Sequence, residues 1–139
     1  MPAAYATELE RLLDHARDLL GAADDALLGD ANTAVNHALQ LTPECVDAWL
    51  LKAQIASATG DDHAALAAVE MALHRAPHRA EALYWRGAVL GDLGRHREAL
   101  GSIEAARLWR FADALGLTSE EFRRLTAAVA PWFPSTDTP

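Results

Sequence analysis

Glu44 to Ala76 reads ECVDAWLLKAQIASATGDDHAALAAVEMALHRA and is bracketed by Pro43 and Pro77. Two segments with apolar residues at three- and four-residue steps are split by Gly60-Asp61, which predicts two helices joined by a tight turn. Moving 34 residues along the chain brings back the same furniture: Ala53 falls on Gly87, Gly60 on Gly94, Ala65 on Ala99, Val69 on Ile103 and Ala72 on Ala106. Small residues recurring at fixed offsets are what close helix packing needs, because only Gly or Ala lets two backbones approach. The stretch therefore predicts a helical hairpin that the chain makes at least twice.

The period and its residues resemble the tetratricopeptide repeat family, whose pattern is W-x2-L-G-x2-Y, then A-x3-F, then a closing Pro. Trp49 supplies the Trp, Ala53 the small residue, Ala65 and Val69 the second-helix pair, and Pro77 the close. Lys52 and Ala56 depart from the Leu and Tyr of the pattern. In the next copy Leu83, Gly87, Leu90, Ala99 and Ile103 match in kind, Arg86 replaces the Leu, and Phe111 stands where the Pro belongs. A weaker copy comes first, with Ala31, Val35, Ala38 and Pro43 at the second-helix spacing. The resemblance implies an all-α fold, a right-handed superhelical stack of antiparallel helix pairs with about seven helices. On that reading residues 1–133 form a single domain, with clear repeats at 46–79 and 80–111 and a degenerate one at about 4–45. A capping helix over 118–130 and a disordered tail over 134–139 complete it.

In chain order, Tyr5, Leu9, Leu12, Leu13, Ala16, Leu19 and Leu20 form one apolar stripe, predicting a first helix from about Ala4 to Leu20 that stops near Gly21. Asp24 or Asp25 caps a second helix with the stripe Leu28, Ala31, Val35, Ala38 and Leu39, closed by Pro43. The third is expected to start at Pro43 or Glu44 and run to about Ala58. Asp61 caps a fourth, Asp62 to Arg75, and the fifth covers about Arg79 to Leu93. The sixth starts near His96 and outruns its counterpart, since no Pro interrupts the chain before Gly116. Thr118 and Glu121 form a capping box for the seventh, whose stripe is Phe122, Leu125, Val129 and Trp132.

Composition narrows the function classes. Among 139 residues 51% are hydrophobic, enough for a core, and alanine is the commonest residue. The net charge of -8 argues against nucleic acid or an anionic membrane as the partner. Twelve of the acids but only three of the bases lie in residues 1–70. One Cys leaves no internal disulfide and fits a reducing compartment, and the first residues lack the apolar run of a signal peptide. A cytoplasmic protein is the expectation. Lys52 is the single lysine among the basic residues, a bias of GC-rich bacterial genomes.

Candidate chemistry is thin. His74 and His78 are four apart, but Pro77 breaks the helix that would align them, and neither an H-E-x-x-H motif nor a Cys pair occurs. Cys45 sits at a helix start without a neighbouring His, and Ser57, Ser102 and Ser119 lack a nucleophile-elbow setting. The acid pairs Asp24-Asp25, Asp61-Asp62 and Glu120-Glu121 are explained by capping. The expectation is no enzyme, no cofactor and no metal.

What the resemblance implies instead is a groove lined by the first helix of each repeat, which in that family holds a peptide or helix of a partner protein. Carried over residue by residue, its lining is Asp47, Leu50, Gln54 and Ser57, then Glu81, Tyr84, Ala88 and Gly91, with Leu51 and Trp85 at its flanks. The Lys, Asn and Arg with which some members read a partner's C-terminal carboxylate are missing from these positions. Tyr84 and Trp85 serve equally as packing between repeats. A second expected surface is a basic edge of Arg75, His78, Arg79, Arg107 and Arg110, which either offsets Glu44, Asp47 and Glu81 or docks an acidic partner. These readings make the chain a scaffold, adaptor or chaperone-like module for an apolar or amphipathic segment of another protein. The alternatives are a homo-oligomer assembled through its stack ends or charge asymmetry, and a regulatory subunit of an enzyme carried on another chain.

Overall fold

A computed structural model describes residues 3–22 and 24–129, with side chains from 7 to 127. Among the described residues there are helices and no strand: α1 Ala3–Gly21, α2 Asp25–Leu41, α3 Val46–Ala58, α4 Asp62–Arg75, α5 Ala80–Asp92, α6 His96–Ala114 and α7 Ser119–Val129. The chain divides into two compact units, Met1–Pro77 and His78–Pro139. The residues expected as a disordered tail, and Trp132 with them, lie outside the described residues, as do the side chains of Tyr5 and Val129.

Helix ends follow local chemistry. Asp24 accepts from the Ala26 N–H and Asp61 from the Ala64 N–H, each satisfying a donor that the first turn leaves without a partner. Gly60 (φ 84) ends the turn after α3, and Gly94 (φ 79) does so after α5. The same two bonds close both turns: Gly60 N–H donates to Ser57 O and Asp61 N–H to Ala56 O, as Gly94 N–H does to Gly91 O and Arg95 N–H to Leu90 O. A residue with a Cβ is strained at that φ, so glycine occupies both places. The α3 start departs from expectation. Pro43 and Glu44 form a turn, the Cys45 N–H donates to Thr42 O, and the helix begins only at Val46. Trp49 ties this turn down, its Nε1 donating to Pro43 O at 2.9 Å.

In the first unit α1 packs on α2, α2 on α3 and α3 on α4, and α3 also touches α1. Leu13 and Ala16 of α1 meet Ala31, Ala34, Val35 and Ala38 of α2 and Ala48, Leu51 and Ile55 of α3 in one buried cluster. Leu9, Leu12, Leu19 and Leu20 close over it, so the stripe expected on α1 faces this core. Each fully buried Leu or Ile stabilises by about 1.5–3 kcal/mol, and the alanines between them set how near the helices come.

In the second unit α5 packs on α6 through Ala82, Gly87, Val89 and Leu90 against Ala99, Ser102 and Ala106. Gly87 is a close approach of α5 to α6, where an added Cβ would stand 2.5 Å from Ile103 Cγ1 and 3.1 Å from the Ala99 carbonyl oxygen. Helix α7 opens with the expected capping box: Thr118 N–H donates to Glu121 Oε2 at 2.7 Å, and Glu121 N–H to Thr118 Oγ1 at 3.1 Å. Its apolar stripe is another departure. Phe122 is buried, whereas Leu125 is 52% exposed. Phe122 meets the ring of Trp109 at 3.9 Å, and Trp109 in turn stacks on His78 at 4.0 Å.

Candidate functional site

The groove residues expected in the first unit lie along α3 at steps of three and four, which puts them on one face. Asp47, Gln54 and Ser57 are partly exposed there. Leu50 is not available: it is 2% exposed and belongs to the interior. Leu51, placed at the flank, is likewise buried, in the cluster with α1 and α2. The reason is the apolar density of Trp49-Leu50-Leu51, three neighbours covering most of the circumference of a short helix.

In the second unit Glu81, Tyr84 and Ala88 are exposed along one face of α5, and Gly91 is half-buried in line with them. Tyr84 keeps 55% of its surface in the open, a large aromatic displayed beside a carboxylate. Trp85, one position on, is half-buried.

The basic edge resolves into separate roles. Arg75 lies 4.0 Å from Glu44, and Arg79 reaches Glu81 at 3.2 Å, which are exposed pairs of under about 1 kcal/mol each. His78 is half-buried rather than displayed. Trp109 covers its ring, and the Arg123 guanidinium, which can only donate, approaches His78 Nε2 at 3.2 Å. Its work is to fasten α7. Arg107 and Arg110 are exposed on α6.

Sequence reasoning missed a third surface. Leu100, Leu108 and Phe111 of α6 and Leu115 at its C-cap are 58, 45, 62 and 58% exposed. Their spacing was visible as another helical stripe, but the helix has apolar residues on both sides. Nothing local distinguishes the side that α5 covers.

Other concave and charged features carry no chemistry. A shallow open depression is lined by Thr33, Asn36, His37 and Gln40, all from α2. Lys52 of α3 donates to Asn36 Oδ1 at 2.6 Å, holding α2 and α3 together. The Arg95 hydrogen bond holds the Glu98 carboxyl below the usual carboxylate range, and the Thr118 N–H does the same for Glu121. Both are fully explained as helix-start contacts. Among the described residues no three His, Cys, Asp or Glu side chains gather as a metal site would need, and no helix is long and apolar enough to cross a membrane. Compared with known proteins, the chain matches no family model and no curated protein.

Proposed function

We propose that the helix pairs are tetratricopeptide-like repeats and that the chain is a non-enzymatic protein-interaction module. Its ligand is an apolar or amphipathic segment of a partner protein, taken up on the exposed faces of the first helices of the pairs. The observation that carries this reading is Tyr84, an aromatic side chain 55% exposed on α5 in line with Glu81 and Ala88. Buried Tyr and Trp anchors concentrate the energy of protein interfaces, because they bring large rigid area at small entropic cost. The equal offset of the two hairpins and the glycine turns shared by α3–α4 and α5–α6 support the repeat assignment.

The test begins with capture of the partner from an extract of the source cells, followed by a titration with that purified partner. Tyr84→Ala is expected to weaken binding at least about tenfold, or about 1.4 kcal/mol, with helicity nearly intact. Arg75→Ala, at an exposed pair, is expected to change it little. Loss of binding with Arg75→Ala while Tyr84→Ala binds normally would reassign the working surface to the basic edge.

A further inference from the structure

The outer face of α6 is a second surface, independent of α5. With about 3.6 residues per turn, Leu100, Glu104, Leu108, Phe111 and Leu115 fall within roughly a quarter of the helix circumference. They lie opposite Ala99, Ser102 and Ala106, which are buried. Four large apolar side chains about half to two-thirds exposed leave roughly 400 Å² of apolar surface, at the upper range for a chance patch on a monomer.

Two charges at the centre of this face, Glu104 and Arg107, are exposed. Elsewhere the same spacing makes intrahelical pairs: Arg11 reaches Glu8 at 2.6 Å, Arg17 reaches Asp14 at 3.0 Å and Arg95 reaches Glu98 at 2.7 Å. Glu104 and Arg107 stand in the same i,i+3 relation, yet among the described residues neither makes an ion pair or a side-chain hydrogen bond. Their positions are self-complementary. The midpoint between Glu104 and Arg107 along α6 is also the midpoint between Leu100 and Phe111. Turning a second α6 antiparallel about that point brings Leu100 of each copy against Phe111 of the other. The same rotation sets Glu104 of each against Arg107 of the other.

We propose that this face is the interface of a homodimer, two copies pairing α6 against α6 about a two-fold axis beside the Glu104–Arg107 turn. One antiparallel register satisfies both the apolar and the ionic contacts, which is what an isologous interface requires. Two patches of roughly 400 Å² and their charged rims together bury about 1,000 Å², the lower bound of a specific interface. The dimer is accordingly modest, with a Kd of about 1–100 µM.

Sedimentation equilibrium of the full chain from about 1 to about 500 µM at low salt tests it. Each variant is checked for helicity and melting temperature. Phe111→Glu is expected to weaken the dimer at least about tenfold with its melting temperature nearly unchanged. Glu104→Arg and Arg107→Glu alone each weaken it about three- to tenfold through like-charge contact, and the double swap returns it to within about threefold of the original. A monomer across the whole range overturns the proposal. So does a dimer that Phe111→Glu leaves intact, or a double swap no better than its single parents. A monomer whose melting falls sharply with Phe111→Glu would show that the chain's own residues cover the face, which also overturns it. Tyr84→Ala should leave the dimer intact, so failure here and failure of the α5 binding face are read separately.

Discussion

Where α3 carries Ala53, fully buried, α5 carries Gly87, pressed so close to α6 that a Cβ would meet Ile103 Cγ1 at 2.5 Å. Where α4 carries Val69, α6 carries Ile103. One carbon removed from the first helix of the pair is matched by one added to the second. The two hairpins keep the same turn while dividing the volume between their helices differently. Their polar ties differ in the same way. Lys52 of α3 reaches back to Asn36 of α2, whereas Arg86, at the matching place on α5, reaches forward to Ser102 of α6, both at 2.6 Å. At these places the two hairpins share a turn and a backbone offset while individual side chains trade size and partners.

The comparison breaks first where small residues are enlarged without compensation. Ala65 is fully buried and its counterpart Ala99 is 6% exposed, each in the second helix of its pair. Ala65→Leu and Ala99→Leu should each destabilise by about 3 kcal/mol, read from urea or thermal unfolding, with the fully enclosed Ala65 suffering more. Equal stability of both variants and the parent would mean that neither alanine sets a helix–helix distance.

Gly87→Ala sharpens it. The new methyl collides with Ile103, at a cost of about 1–2 kcal/mol. Combined with Ile103→Val it recreates the Ala and Val of the other hairpin; valine keeps the Cγ1 that the methyl meets and loses only Cδ1, so the pair should be less destabilised than the sum of its parents by about 0.5 kcal/mol, a partial recovery. Simple additivity in that double-mutant cycle would show that the two hairpins do not share one packing rule.

Smaller still is the polar tie. Ser102→Ala removes the acceptor of the Arg86 bond, but Arg86 also lies 4.0 Å from Glu98, so the loss should be about 1 kcal/mol or less in a thermal melt. The smallest effect belongs to α7. Glu121 is held below its ordinary pKa by the Thr118 N–H. Its stabilisation is therefore present above the unfolded-state value of about 4.3 and is lost as pH falls through the lower folded one. The protection of the amides in residues 119–129, read as exchange relative to the intrinsic rate at each pH, should fall as pH is lowered through the carboxylate range, and Glu121→Gln, which keeps a capping side chain without its titration, should flatten that change.

Helix limits were legible in the amino-acid order because each is decided within a few residues. The side chains of Asp24, Asp61 and Thr118 satisfy N–H groups two or three positions on, and Gly60 and Gly94 supply the backbone angle that ends a helix. The α3 start was misplaced because Pro43 suits a helix's first turn and a separate turn equally well, and the Cys45 bond to Thr42 selects the latter. Which apolar residues are covered could not be read the same way. Leu50 is buried and Leu100, Leu108 and Phe111 are exposed, although all sit in helices with apolar residues at helical spacing. His78, read as a loop cation, became a ring clasped by Trp109 and Arg123 from far along the chain. Hydrogen bonds at a helix end saturate locally, so local sequence determines them. Burial depends on which distant surface arrives, and that surface exists only once the helices have packed.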